Sequence, residues 1–143
     1  MRVLAVMAAL LLALCTAPLA TAHQNNDETI AIPEGDPAAP GQAFVDDPSI
    51  RNPHPLAIEF FTRTADPAEV RLFFTTGVPQ CHGVHATVRE TPEAVIVDLL
   101  GGTPPQALNQ ACIMLGVTGT LEVPLHAPLG ERAVLAPKVD KPQ

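Results

Sequence analysis

From Leu56 onward, apolar and polar residues alternate along the chain, and the alternation breaks at turn-forming residues. Val70, Leu72 and Phe74 share one side of a strand over 70–75, with Arg71, Phe73 and Thr75 on the other, and Gly77-Val78-Pro79 ends it. Val84, Ala86 and Val88 alternate with His85, Thr87 and Arg89 across 84–90. Thr91-Pro92 turns the chain, and Val95, Val97 and Leu99 return on the core side over 94–100. A period of two with β-branched residues predicts a hairpin. Residues 56–62 form a short apolar run suited to an edge strand, Val117–Leu125 alternates again, and Ala133-Val134-Leu135 closes the pattern after the turn Pro128-Leu129-Gly130. Between the loop 101–105 and Val117, residues 106–115 fit helical and strand spacing equally. Five to six short strands with tight turns and no internal repeat predict an all-β fold, a small antiparallel sandwich or partly open barrel.

Ahead of Leu56 the pattern differs twice. Arg2 precedes an apolar run, Val3–Leu14, and Ala20-Thr21-Ala22 follows as a small-x-small site, the order of an export signal cleaved after Ala22. The run is broken by Cys15, Thr16 and Pro18 and falls short of the about 20 apolar residues of a spanning helix. Cys15 is an alternative lipidation site, against which Leu14 speaks, because the residue before a lipidated cysteine is ordinarily small. Cleavage makes His23 the mature N-terminus and predicts a secreted or envelope location without membrane insertion. Residues 23–55 then hold six prolines and six acids against one cation, Arg51. So little apolar residue in so much like charge predicts a disordered tether, with the foldable domain at 56–137 and a disordered tail at 138–143.

The formal charge is -7, and it becomes -8 once Arg2 leaves with residues 1–22. An acidic exported chain is repelled by nucleic acid and by anionic membranes. The chain has no Trp and no Tyr, so it lacks the flat amphipathic rings on which glycan binders stack sugars. Ser49, in a proline-rich stretch, is its one serine, and the two lysines, Lys138 and Lys141, lie near the C-terminus. Serine-nucleophile and Schiff-base chemistry both need such a group on a rigid or buried element.

After cleavage two cysteines remain, Cys81 and Cys112, with no CxxC spacing. In an oxidising compartment two cysteines pair as a structural disulfide. At this point a resemblance emerges. The strand 70–77, Cys81-x-Gly83-Val84, Thr87-Val88-x-Glu90-Thr91, Val95-x-Val97, Gly101-Gly102, Ala111-Cys112-Ile113 and Pro128-Leu129-Gly130-x-Arg132-x-Val134 together resemble small secreted one-disulfide domains of high-GC Gram-positive (actinobacterial) bacteria. The resemblance covers about 56–137 and implies export, a disulfide and a β fold; it carries no activity and no catalytic residues.

Several residues invite chemistry. An N-terminal His23 offers copper its α-amine and ring nitrogen, and a second imidazole could come from His54, His82, His85 or His126. His82 and His85 stand three apart, which on a strand directs them to opposite faces. Glu90 and Glu93 flank a turn and are expected to be solvated, without the environment that separates an acid from a base. Arg132 is expected to pair with Glu122 on an adjacent strand or to contact an anion or partner. Phe60, Phe61, Phe73 and Phe74 form two adjacent pairs, so one ring of each should face away from the core, beneath the tether or in an interaction patch. The reading is a non-enzymatic, monomeric exported domain without cofactor, binding an unknown protein or envelope partner through Phe61, Phe73 and Arg132. The alternative is a copper-binding protein using His23 with His82 and His85.

Overall fold

The computed structural model describes residues 28–140. The expected signal and His23 lie outside the described residues. Nine strands build two sheets: β1 (Thr29–Ala31), β2 (Gln42–Ala43), β3 (Arg51–Pro55), β4 (Ile58–Arg63), β5 (Glu69–Thr76), β6 (Gly83–Glu90), β7 (Ala94–Thr103), β8 (Val117–Pro124) and β9 (Ala133–Pro137). In the first sheet β7 pairs with β6 along one edge, and its other edge is shared by β9 at Ala94–Ile96 and β3 toward Thr103; β1 adds beyond β9. The second sheet runs β2-β8-β5-β4. The fold is the expected all-β sandwich; most pairs are antiparallel, while β2 with β8 and β7 with β9 are parallel.

The alternation explains the core. Val70, Leu72 and Phe74 of β5 face Val95, Val97 and Leu99 of β7 across the sandwich, joined by Val84, Leu121, Val123 and Val134, all nearly or wholly buried. In β4 the register shifts between Ile58 and Phe60, so Ile58 and Phe61 both reach the core despite their odd spacing. Such a bulge resets the two-residue period.

The expected disordered tether is corrected over its described part, 28–55. Ile32 and Phe44 are members of the core, and Phe44 meets Phe74 edge to face at 5.5 Å. The Phe44 N–H donates to the Thr120 carbonyl at 2.8 Å, the Gly35 N–H to the Phe61 carbonyl at 2.8 Å, and the Phe61 N–H to the Pro33 carbonyl at 3.0 Å. The segment folds because it completes existing sheet edges, where each added residue gains a ready partner. Its prolines restrict the unfolded chain and suit edge positions, such as Pro53 and Pro55 in β3. Asn52, at φ 51°, supplies the left-handed residue at the irregularity of that strand. At the other end the Lys138 N–H donates to the Glu28 carbonyl at 2.8 Å, so the first residues of the expected tail join the fold.

Candidate functional site

The ends of the sandwich differ in character. At one end the chain leaves β7 at Thr103 and enters β8 at Val117, passing through a 3₁₀ turn, Pro105–Ala107. Pro105 suits the first position of a helical turn, where no N–H is needed. Ala107 is buried and anchors the turn, its N–H donating to the Pro104 carbonyl at 2.9 Å. The Gln110 N–H donates back to the Ala107 carbonyl at 3.1 Å. Residues 111–116 have no regular secondary structure, and among the described residues no turn or loop bond of the backbone involves them. This segment is fastened instead by the Cys81–Cys112 disulfide, with Cα atoms 6.0 Å apart. Cys81 is buried in a turn where its N–H and that of His82 both donate to the Val78 carbonyl at 3.0 Å.

Among the described residues, four of the six exposed large apolar side chains lie on that loop. Leu108 is 49% exposed, Ile113 64%, Met114 fully and Leu115 55%. No charged residue occurs between Asp98 and Glu122 in the sequence. Between the Cys81 turn and the start of the 3₁₀ turn lies an open cleft of about 400 Å³, lined by Phe44, Val45, Pro79, His82 and Pro104 among others, with none of 107–116 in its walls. Val45, itself 85% exposed, extends the apolar surface. At the rim stand Asp46 and Asp47. Asp46 accepts from the Ala86 N–H at 2.8 Å and holds His85 Nδ1 at 3.0 Å. Hydrogen bonds from Ser49, side chain and backbone, hold the Asp47 carboxyl below its ordinary range, so it stays ionised.

The opposite end is a polar clasp. Glu90, at the end of β6, accepts from the His126 N–H at 2.6 Å and the Ala127 N–H at 3.3 Å, and pairs with Arg132 at 3.0 Å. The backbone bond from His126, then the Arg132 contact, hold its carboxyl below the usual range against the effect of partial burial. The Arg132 guanidinium also donates to the carbonyls of Ala127 at 2.9 Å and Pro128 at 2.8 Å. It gathers the 127–132 turn onto the β6–β7 hairpin and is spent on that contact.

The residues expected to form an interaction surface are therefore placed elsewhere. Phe61 is in the core and Phe73 is wholly buried. Phe73 does face away from the core, but Phe60 stacks on it at 4.2 Å, and the N-terminal segment lies over the pair. Gly35 and Gly41 belong there because a Cβ at either would collide, with the Phe60 ring and with the Thr120 methyl respectively. Arg132 pairs with Glu90 rather than Glu122, whose partner is Arg71 at 2.7 Å. Glu90 is shielded, not solvated, its side chain 12% exposed. His85 is engaged by Asp46, while His82 packs over Gly77, so the two rings serve different loops. Among the described residues no three metal-ligating side chains cluster. Of the ambiguous 106–115, Gln106 and Ala107 belong to the 3₁₀ turn and the rest forms neither helix nor strand.

Compared with protein-family models, curated proteins and solved structures, the chain matches none. The surface itself therefore carries the functional reading.

Proposed function

We propose that this chain is an exported, non-enzymatic β domain that binds a protein partner in the envelope or outside the cell, and that the loop 108–116 is its recognition surface. The observation carrying this reading is the exposure of Leu108, Ile113, Met114 and Leu115 on one disulfide-held loop. Burying such a side chain fully stabilises by roughly 1.5–3 kcal/mol. The free domain forgoes all of that gain at Met114 and part of it at Leu108, Ile113 and Leu115, and a complex recovers it. Exposed apolar groups gathered in one place mark interaction sites more than scattered ones do. The disulfide is consistent with an oxidising, extracellular location. The non-enzymatic reading rests on the polar groups. The best-placed carboxylate, Glu90, is committed to Arg132 and to backbone N–H groups, leaving it no proton to exchange at neutral pH.

The test is a quantitative affinity purification of the full exported chain from its native host, with an Ile113→Asp/Leu115→Asp variant processed in parallel. The proposal expects a partner recovered with the wild type and depleted roughly tenfold or more with the variant, which corresponds to 1.4 kcal/mol. Equal recovery would refute it.

A further inference from the structure

We propose that Met114 is an oxidant-modification site: a hydroperoxide converts its thioether to the sulfoxide, and the gain in polarity releases the protein partner bound at 108–116. The site stands on composition and exposure. Its consequence rests on the binding reading above.

Composition singles the residue out. The chain holds three methionines, and Met1 and Met7 lie within 1–22, the expected export signal. With that signal removed, Met114 is the only methionine left. The chain has no Trp and no Tyr. Cys15 also falls within the expected signal, and Cys81 and Cys112 are already joined. Sulfur side chains are the first targets of two-electron oxidants, and their susceptibility follows exposure. A peroxide reaching this domain therefore meets one oxidisable thioether and no free thiol.

The fold leaves that thioether open. Met114 is fully exposed. It sits in 111–116, which has no regular secondary structure and, among the described residues, no turn or loop bond of the backbone. Two residues away, Cys112 ties the segment to the buried Cys81, so the loop is held on the outside of the sandwich.

The reaction needs nothing further from the protein. A sulfur lone pair attacks one peroxide oxygen; the S–O bond forms as the O–O bond breaks. Sulfur is oxidised by two electrons and the hydroperoxide is reduced by the same two. The peroxide proton goes to the departing oxygen, which leaves as an alcohol, or as water when the oxidant is hydrogen peroxide.

The consequence follows from the neighbours. Ile113 and Leu115 flank the residue, and the sequence has no ion over 99–121. A flexible thioether suits an adaptable apolar contact. A sulfoxide is a strong acceptor, and burying it in such a contact without a donor is unfavourable. In the free domain the same oxygen stays in water, at a position that packs on nothing. Oxidation therefore acts on binding and spares folding. A leucine at 114 would offer similar apolar area without the sulfur, so the methionine is what adds sensitivity to oxidant.

The experiment treats the full exported chain with hydrogen peroxide at neutral pH, beside Met114→Leu and the polar variant Met114→Gln. Peptide mass spectrometry locates the added oxygen and follows its rate, with the urea-unfolded chain as reference. Calorimetry follows stability, and affinity purification from the native envelope follows the partner. The expected result is one oxygen at 114, added at a rate within about twofold of the unfolded chain because nothing shields the sulfur. The melting temperature should stay unchanged. Partner recovery should fall about tenfold or more on oxidation and equally in Met114→Gln. Met114→Leu should bind as the untreated wild type does, before and after peroxide. Oxidation slower than in the unfolded chain by about tenfold or more overturns the site. Complete oxidation with full recovery of the partner overturns the release and leaves the binding reading standing. A melting temperature lowered by oxidation assigns Met114 to folding and overturns the release as well. No partner recovered by the untreated wild type overturns the binding reading and the release together, while the oxidation rate decides the site independently.

Discussion

At the scale of single residues, the polar groups of this fold mostly hold loops in place. Glu90 shows how. In the unfolded chain a glutamate takes up its proton near pH 4.3, and in the folded chain Glu90 does so at lower pH. The folded state therefore gains from its ionised form above the unfolded value. That gain is lost as pH falls through the lowered value. Glu90→Gln should lower the melting temperature most at neutral pH, with the difference from wild type shrinking as pH falls below about 4, read by calorimetry at stepped pH. Thr62 is the opposite case. Its side chain is 1% exposed and its hydroxyl has no hydrogen-bond partner. An unmatched buried hydroxyl carries a desolvation cost of about 1–3 kcal/mol. Thr62→Val should stabilise by about 1 kcal/mol in urea unfolding, and a destabilised variant would show that the hydroxyl is satisfied.

Among the elements, those with a clean period of two were legible in the sequence. β5, β6, β7 and β8 begin and end within a few residues of the alternation, and the inward residues Leu72, Val97 and Leu121 are the buried ones. The short strands β1, β2 and β3 were not legible. Two to five residues cannot show a period, and their prolines and acids read as a tether, yet they form by adding to edges that only the folded sheets create. Phe44 tests this directly. It sits on Phe74 and over Gly119, where a Cβ would come within 2.9 Å of the Phe44 ring. Phe44→Ala should cost about 3–5 kcal/mol. A cost below 1 kcal/mol would mean that 28–55 does not dock. The candidate site was half legible. The cysteine pair was predicted, whereas the apolar residues it fastens were hidden in the ambiguous 106–115, because exposure is decided by the turn at Pro105–Ala107 and not by spacing.

For the whole molecule, the disulfide joins two loops at the end of the sandwich that bears the apolar surface, and closes a loop of 31 residues. In the chain-entropy picture such a closure is worth about 3–4 kcal/mol, a large share of the 5–15 kcal/mol typical of a domain. Reduction should lower the denaturation midpoint correspondingly and should also free 108–116, abolishing partner binding under conditions where the domain stays folded. The central claim is that the apolar side chains of this loop serve recognition and contribute little to folding. Its most direct test replaces Leu108, Ile113, Met114 and Leu115 together by Ser, and measures the melting temperature and the fraction of exported chain retained with its partner in the envelope. The account predicts a melting temperature within a few degrees of wild type and loss of retention. A collapse of the melting temperature, or retention equal to wild type, would contradict it.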